Sequence, residues 1–349
     1  MKERTILVFN VGSSSVKYSL FNEKELLNSG EYERLKSKED YKKSVEKIFE
    51  KINPSKISLI IHRVVHGGEL NKPVKINNEI KKEIKKFSEF APLHNPKEIA
   101  IIEFCEKYKK PQYAVFDTIF FSKIPDFVKT YAIPIQLTKK YKIRKYGFHG
   151  LSHESVSKNM KGKTIVCHLG SGVSISAIIN GKPLDTSMGF TPLEGLMMGT
   201  RSGTIDPGII LFLEKRGYNV KEIITEKSGL KGISGYQDFR DIRSRLTKNK
   251  NCKLAYEMFA YQIIKTIGSY ISAMNGLDNL IFTGAIGENV PRIRKEVCKN
   301  LSYLGLKINE EKNEKSSEII SSQNSKIKIF IKQSNEEKIA VEKVLEILK

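Results

Sequence analysis

Two arginines lie in segments where their side chains could bind an anion. Arg63 follows the apolar run 57–61, and Arg201 lies between Gly199 and Gly203 near the end of a long glycine-rich loop. The planar guanidinium group makes paired hydrogen bonds to carboxylate or phosphoryl oxygens. A surface ion pair is the alternative for Arg63. The pair of arginines nevertheless favours chemistry on a carboxylate or a phosphoryl group.

A carboxylate and a histidine extend this set of reactive groups. Asp117 follows the apolar run 112–115 and could bind Mg²⁺ directly or through water, with a helix cap as the alternative. His149 and His153 are four residues apart, but no third zinc ligand is evident. His149 therefore fits better as a donor to the oxygens of a transferring phosphoryl group.

The segment Asn10–Lys17 combines three features that a polyphosphate requires. Gly12 frees backbone amides, Ser13 and Ser15 supply hydroxyl donors, and Lys17 supplies a cation. The segment does not match the G-x-x-x-x-G-K-[ST] loop. A serine-rich turn by itself is more often only a turn, so the neighbouring motifs decide this interpretation.

The elements around this turn recur later in the chain. Apolar runs predict strands at 5–11 and 16–21 around the first turn, and at 163–169 and 173–179 around the turn 170–172. This repeat predicts an α/β protein with two duplicated domains. We expect the two polar turns to face one ligand.

A third glycine-rich turn, 282–287, follows a predicted strand at 279–282. It is expected to open a helix near Glu288, where backbone N–H groups favour an anion. Three turns of this kind favour phosphoryl transfer, which depends mainly on positioning, Mg²⁺ and positive donors.

Composition narrows the remaining classes of function. The net charge of +21 arises from 60 Lys and Arg against 39 Asp and Glu, and runs such as 81–86 place lysines on solvated helix faces. The positive field would attract ATP and carboxylates. No nucleic-acid recognition motif accompanies it, so no nucleic-acid partner is expected. The G-x-S-x-G and G-x-G-x-x-G patterns of hydrolases and dinucleotide-binding proteins do not occur at the expected positions.

The cysteines and the apolar segments indicate the compartment. Four cysteines lie far apart without a C-x-x-C pair, which suits a reducing cytosol. No signal peptide and no apolar stretch of about 18 residues occurs in the sequence. A cytoplasmic protein without a membrane partner is expected.

Several longer motifs resemble those of the acetate kinases. They are N-V-G-S-S-S-V-K-Y, H-R-V-V-H-G-G-E, A-P-L-H-N-P, F-D-T, Y-G-F-H-G-L-S-H, T-S-M-G-F-T-P-L-E-G-L-M-M-G-T-R and F-T-G-A-I-G-E-N, in the family's order from residue 5 to about residue 342. The resemblance implies the duplicated ribonuclease-H-like fold of sugar kinases, heat-shock ATPases and actin, with two domains and a central cleft. The expected domains are 1–119 with 337–349, and 120–336.

The resemblance also implies the reaction. It is the reversible, Mg²⁺-dependent, direct in-line transfer of the ATP γ-phosphoryl group to acetate, giving acetyl phosphate and ADP, in a homodimer. Mn²⁺ is a possible substitute for Mg²⁺. A propionate kinase with the same chemistry, or a weakened nucleotide-binding relative, remain alternatives.

The resemblance assigns roles residue by residue. Arg63 and Arg201 would hold the carboxylate and the transferring phosphoryl group, His149 would stabilise the transition state, and Asp117 with Glu336 would organise Mg²⁺ near Asn10. His94 would lie near the acyl phosphate. The acyl pocket would be formed by Val65, Leu93, Phe148 and Pro192. The nucleotide would contact Ser13, Ser15, Lys17, His168, Gly170, Ser171, Gly172, Asp238, Phe239, Arg240, Gly284, Ala285, Ile286, Gly287 and Asn289.

This chain departs from the family pattern at three places. Ser171 and Val173 replace an amide and a hydroxyl of the family's H-L-G-N-G-S-S, and Ala285 replaces a glycine in F-T-A-G-I-G-E-N. The chain is also shorter than the usual member, mostly before Arg63. The first two changes predict an altered nucleotide site.

Overall fold

The computed structural model describes residues 4–12, 15–23, 25–92 and 94–349. The chain forms two compact units. Unit one comprises Met1–Ser122, Phe148–Ser155 and Asn335–Lys349, and unit two comprises Lys123–Gly147 and Val156–Ser334. Relative to the division expected from the sequence, the boundaries move by a few residues and one short segment, Phe148–Ser155, groups with unit one.

The strands and helices follow the chain in this order. The strands are β1 (Thr5–Val11), β2 (Val16–Asn22), β3 (Glu25–Tyr32), β4 (Leu59–Val64), β5 (Val74–Lys75), β6 (Gln112–Phe116), β7 (Lys163–Leu169), β8 (Val173–Ile179), β9 (Lys182–Thr186), β10 (Asn279–Thr283) and β11 (Lys328–Ile331). The helices are α1 (Lys38–Lys51), α2 (Asn78–Lys86), α3 (Asn95–Cys105), α4 (Asp126–Lys129), α5 (Ile135–Tyr141), α6 (Gly150–Ser157), α7 (Pro207–Glu214), α8 (Val220–Glu226), α9 (Gly229–Ser234), α10 (Phe239–Ser244), α11 (Lys250–Met274), α12 (Gly284–Asn289), α13 (Pro291–Asn300), α14 (Glu310–Glu314) and α15 (Glu336–Ile347).

The two sheets share one topology. The first has the order β3-β2-β1-β4-β6-β5, and the second, from its other edge, has the order β9-β8-β7-β10-β11. In each, an antiparallel meander (β1 to β3, or β7 to β9) is extended by two parallel strands (β4 and β6, or β10 and β11). This repeat confirms the duplicated α/β fold that the sequence predicted.

Alternation along β1 gives unit one a core on both faces of its sheet. Ile6 and Val8 pack in one cluster with Val341 of α15. Leu7 and Phe9 pack in the other cluster, which includes residues of α1 such as Ile48. Because successive side chains of a strand point to opposite faces, one apolar run of β1 serves both layers. Each buried side chain of this size contributes about 1.5–3 kcal/mol relative to exposure.

Some element boundaries differ from the sequence prediction. The strand expected at 57–61 extends as β4 to Val64, so Arg63 lies inside it. The helix expected near Glu288 is α12, which begins at Gly284. The first difference arises because β4 pairs with β1 as far as Arg63 and with β6 as far as Val64. The second arises because Gly284 packs against the Leu169 backbone. Neither contact is visible in a local pattern.

Within the described residues, no helix combines the length and the apolar character that crossing a bilayer requires.

Candidate active site

The polar cluster of unit one lies where three neighbouring strands end. Asn10 of β1 is aligned with Arg63 of β4, and Asp117 follows the last residue of β6. Because β1, β4 and β6 are parallel, their carboxyl ends meet at one edge of the sheet. Glu336, the first residue of α15, reaches the same edge. The structure therefore brings together four residues that the sequence analysis assigned to catalysis and metal binding.

Four hydrogen bonds hold the Arg63 guanidinium. Its Nε and Nη2 donate to the two oxygens of Asp117 at 2.8 and 2.7 Å. Its Nη1 donates to Asn10 Oδ1 at 2.9 Å and to Glu336 Oε2 at 2.5 Å. The Asn10 amide donates in turn to Glu336 and to Glu337, at 3.1 and 2.7 Å. A bidentate pair of this kind fixes the orientation of the arginine.

The charges of the cluster compensate one another. Burial alone would lower the pKa of Arg63, but Asp117 and Glu336 raise it above its usual value, so the guanidinium stays charged. Burial raises the pKa of Glu336, with Arg63 opposing the rise. The cluster thus presents a permanent cation whose position is set by carboxylates.

The donor set of the cluster fits Mg²⁺. Asp117, Glu336 and Glu337 supply carboxylate oxygens, and Asn10 supplies an amide oxygen, which are the ligands that this ion prefers. In the described part of the chain, no three His, Cys, Asp or Glu side chains form a ready-made metal cage. Mg²⁺ sites in proteins commonly combine one or two carboxylates with phosphate oxygens and water.

His149 adopts an unusual backbone conformation next to this cluster. Its φ of +56° lies in the left-handed region, which histidine adopts uncommonly. The following residue, Gly150, donates its N–H to the Asp117 carbonyl at 3.1 Å, and a Cβ there would lie 2.1 Å from that oxygen. The turn into α6 therefore needs glycine at position 150, and it holds the residue that follows His149 in backbone contact with Asp117.

Two predicted acyl-pocket residues, Val65 and Phe148, lie in the described part of unit one. Val65 directly follows β4 and is buried, as is Phe148. The Phe148 ring packs edge-on against His66, with centroids 5.4 Å apart. His94 precedes α3 as its half-buried N-cap residue. Leu93 lies outside the described residues.

The first phosphate turn is described only in part. Ser13 lies outside the described residues, and Gly12 donates its N–H to the Ser15 carbonyl at 2.8 Å. The Lys17 side chain is 54% exposed and forms an ion pair with Glu31 at 3.7 Å. Lys17 is thus placed on the solvated side of β2, and its assignment to phosphate stays a prediction.

Unit two holds Arg201 on its glycine-rich loop. The Arg201 Nη1 donates to the carbonyl of Pro192 at 2.7 Å, which joins two residues predicted for the substrate site. Burial lowers the pKa of Arg201 to about 10, so it remains charged at neutral pH. The Tyr131 hydroxyl anchors the same loop by bonding Glu194 and accepting the Phe190 N–H.

A cleft of about 640 Å³ in unit two contains many of the predicted nucleotide residues. Its lining includes eight of them: Gly170, Ser171, Asp238, Phe239, Arg240, Ala285, Ile286 and Asn289. A concave site of this size suits a small-molecule ligand. Of the other assigned residues of unit two, His168, Gly172, Gly284 and Gly287 lie on the adjoining segments without lining the cleft.

The structure refines the roles of several cleft residues. Phe239 is mostly a core residue, since its ring packs on Phe259 with centroids 5.3 Å apart. Asp238 caps α10 and pairs with Arg240 at 2.6 Å. Val173 is fully buried in β8, so of the two departures around this turn only Ser171 changes the cleft.

Other lining residues were not foreseen from the sequence. They are Gly199, Leu230, Gln237, Arg243 and Val290. Gln237 and Val290 adjoin predicted positions, so proximity along the chain could have indicated them. Arg243 follows the predicted Arg240 by one turn of α10, which is also a local signal. Leu230 carries no such signal, because folding alone brings α9 to the cleft.

The anion site expected at the third turn is partly occupied by the protein itself. Gly284 begins α12 with φ +78°, and its N–H donates to the Glu288 carboxylate at 2.8 Å. The helix therefore starts four residues before the expected position, and its own glutamate satisfies the first free amide.

Arg294 of α13, which the sequence analysis did not single out, forms hydrogen bonds to the backbone of the short helix α12. It is fully buried, and its Nη1 donates to the carbonyls of Gly287 and Glu288 at 2.8 and 2.9 Å. Its Nε and Nη2 bond the side chain and the carbonyl of Asn313. A buried arginine that satisfies helix-terminal carbonyls fixes the position of α12 beside the cleft.

Comparison with known proteins finds a matching family and similar structures. The sequence model of the Acetokinase family matches residues 27–342. Acetate kinase from Carboxydothermus hydrogenoformans is 43% identical over 393 aligned positions, covering 98% of this chain and 99% of that protein.

Two solved structures extend the likeness to the fold. A propionate kinase from Francisella tularensis superimposes with a TM-score of 0.89 at 39% identity, covering 97% of this chain and 98% of that one. The acetate kinase of Porphyromonas gingivalis gives a TM-score of 0.88 at 36% identity, covering 99% and 100%. The chain belongs to the acetokinase family.

Proposed function

We propose that this protein is an acetate kinase that transfers the γ-phosphoryl group of ATP to acetate and catalyses the reverse reaction. The observation that carries the proposal is the cluster in which Asp117, Glu336 and Asn10 hold Arg63 at the ends of parallel strands. Membership of the acetokinase family supports the choice of a carboxylate as acceptor.

The chemistry follows from the charges that transfer creates. In-line transfer spreads negative charge over the equatorial oxygens of the phosphoryl group. Arg63 and Arg201 would compensate this charge, and His149 would donate to the same oxygens. Because Asp117 fixes the Arg63 fork before substrate binds, little reorganisation is needed when the charge develops.

Mg²⁺ and the nucleotide complete the proposal. Asp117 and Glu336, with Asn10 nearby, would hold Mg²⁺, or Mn²⁺ in its place, and the ion would neutralise phosphate charge when bound. ATP and ADP would bind in the unit-two cleft beside Ser171, Arg240 and Ala285. The segment of Ser13, Ser15 and Lys17, with His168, Gly172, Gly284 and Gly287, would contribute phosphate contacts. His94 would lie at the acyl phosphate.

A direct assay tests the proposed reaction. Acetate, MgATP and hydroxylamine are incubated with the purified protein, and acetyl hydroxamate is measured. We expect hydroxamate to form only when ATP, acetate and Mg²⁺ are all present. Lack of product at millimolar substrate, from protein that is folded by circular dichroism, would refute the proposal.

Propionate is the second candidate acceptor, since one of the similar structures is a propionate kinase. The acyl pocket would consist of Val65, Leu93, Phe148 and Pro192. We propose a preference for acetate because propionate-preferring relatives tend to carry a smaller residue than Val65. One methylene changes binding by only about 1–3 kcal/mol, so discrimination is expected to be modest. A larger kcat/KM for propionate than for acetate would reverse this choice.

We also propose a cytoplasmic homodimer without a nucleic-acid partner. The four buried cysteines are free thiols, which suits a reducing compartment that contains ATP.

On α7, Leu211 is 68% exposed and Phe212 is 54% exposed, which favours an interface at this helix. Light scattering after size-exclusion chromatography should give twice the chain mass, and Leu211→Glu should give the mass of one chain. A monomeric wild type would contradict the proposal.

A further inference from the structure

Two buried polar side chains of α3 face the backbone that follows β4. Asn95 and Glu98 lie one helical turn apart, and neither is exposed by more than 1%. Buried glutamate is uncommon because removing a carboxyl group from water is costly. Glu98 makes no ion pair with the described residues that would offset this cost. Its burial therefore points to a specific polar task.

That task is visible in the hydrogen bonds of Val65 and His66. Both carboxyl oxygens of Glu98 lie within bonding distance of the Val65 N–H, at 3.2 and 3.1 Å. Asn95 Oδ1 accepts the His66 N–H at 3.1 Å, and its amide donates to the His66 carbonyl at 3.0 Å. Two side chains of one helix thus bind consecutive peptide groups of the loop.

The sheet itself cannot supply these bonds. The ladder of β4 ends at Arg63 opposite β1 and at Val64 opposite β6. The next residue, Val65, is buried, and an unpaired buried amide is costly. Glu98 therefore replaces a strand neighbour at the first residue beyond the ladder.

We propose that Glu98 is a positioning residue for the acyl pocket, acting through the Val65 peptide to set how far the Val65 side chain projects toward the acyl group. This inference rests on the proposed acetate kinase function and assigns acceptor selectivity to a side chain outside the pocket. Burial raises the pKa of Glu98 to about 8, so it is a neutral acceptor near pH 7. A glutamine at this position would preserve the acceptor.

The test compares three substitutions at Glu98 with a control on the same helix. Glu98→Met keeps the volume and removes the acceptor, Glu98→Asp withdraws it by one methylene, and Glu98→Gln retains it. Ile102→Val, one turn later and also buried, reports the effect of weakened packing alone. For each variant, kcat and KM are measured for acetate, propionate and MgATP.

We expect Glu98→Met to raise KM for acetate roughly tenfold, as for a buried amide left without its partner, with KM for MgATP unchanged. The propionate to acetate ratio of kcat/KM should change in the same variant. Glu98→Gln should restore most of the loss, and Ile102→Val should change neither KM nor the ratio. If Glu98→Met does not fold, Glu98→Asp is assessed by the same criteria.

Two results would overturn the inference. One is a wild-type acetate KM and selectivity in Glu98→Met or Glu98→Asp. The other is an equal loss for acetate and MgATP, which would indicate general destabilisation. A wild-type enzyme inactive with both acetate and propionate would refute the proposed function, whereas an active wild type with insensitive Glu98 variants would refute this inference alone.

Discussion

Arg63 is fully oriented by the protein before any substrate is present. Asp117 accepts hydrogen bonds from Nε and Nη2 of Arg63, and Glu336 and Asn10 accept hydrogen bonds from Nη1. A donor held in this way loses little entropy on meeting an anion. The proposed contribution of Arg63 to catalysis therefore depends on the planar shape of the guanidinium as much as on its charge.

Arg63→Lys tests that distinction. Lysine keeps the charge but cannot bond both Asp117 oxygens as a planar fork, so we predict a fall in kcat/KM for acetate of at least about 100-fold. Steady-state kinetics provide the measurement. Arg4→Lys, in an ion pair with Glu23 at the surface of the same unit, should have no effect. Near-normal kinetics in Arg63→Lys would remove Arg63 from its proposed role.

His62, next to Arg63, makes stability depend on pH. Its ring is buried against Phe9, and its Nε2 lies 2.6 Å from Gln112 Oε1. Burial lowers its pKa from 6.5 to about 4. Below pH 6.5, His62 is protonated in the unfolded chain but stays neutral in the folded protein. The free energy of unfolding therefore decreases as the pH falls toward 4.

We predict that the difference in His62 protonation lowers the free energy of unfolding by up to about 3 kcal/mol between pH 6.5 and pH 4. Urea unfolding at both pH values gives the loss for the wild type and for His62→Asn, which cannot titrate there. The wild type should lose more than the variant, because other groups titrate equally in both. Equal losses would show that His62 is not buried in its neutral form.

At the scale of elements, the turn from β10 into α12 depends on one glycine. Gly284 has φ +78°, and a Cβ at this position would lie 2.8 Å from the Leu169 carbonyl oxygen. Both the backbone conformation and the close approach to β7 disfavour a side chain in this chain, although the family pattern has alanine at this position. Three residues later, Gly287 would place a Cβ no closer than 3.5 Å to its neighbours.

This contrast gives a matched pair of substitutions in one helix. Gly284→Ala should destabilise the protein by about 1–3 kcal/mol through strain and should raise KM for ATP. Gly287→Ala should change the free energy of unfolding little, because the added methyl group makes ordinary van der Waals contacts. Denaturant unfolding and ATP kinetics measure both effects. Equal stabilities of the two variants would contradict the assigned strain.

Element types were easier to predict than element boundaries. The hairpins of β1 with β2 and of β7 with β8 were predicted to within a residue, because glycine-rich turns separate continuous apolar runs. The start of α12 was placed four residues late. Its N-terminal signal is a glycine, whose role follows from the contact with Leu169 and not from a local pattern.

At the scale of the whole molecule, the chain carries a net charge of +21 at pH 7. Arg240 and Arg243 line the unit-two cleft. Among the described residues that line it, Asp238 is the only one with an acidic side chain. A positive molecule with a positive cleft attracts polyanions over distances that salt shortens. Binding of ATP, which carries several negative charges, should respond to this field.

We predict that kcat/KM for ATP falls several-fold as KCl rises from about 0.05 M to about 0.5 M, with a smaller change in kcat. Initial rates at several ATP concentrations give both constants. Sucrose at the same osmolality controls for solute effects and should leave the ratio unchanged. A kcat/KM that does not depend on ionic strength would exclude electrostatic attraction as a contributor.

The sequence by itself determined the kinds of element, the duplication and the groups able to bind phosphate and carboxylate. These properties depend on local order, since apolar runs, glycine turns and side-chain chemistry are all read within a few residues. The fold class and the family resemblance followed from them and were confirmed.

Only the tertiary structure decided how these groups meet. Asn10 and Glu336 are 326 residues apart and share a hydrogen bond because β1 and α15 pack together. The tasks of Glu98 and Arg294 were invisible in the sequence, since each side chain bonds backbone groups that only folding brings near. Long-range pairing of strands and helices fixes such contacts, and no local pattern encodes them.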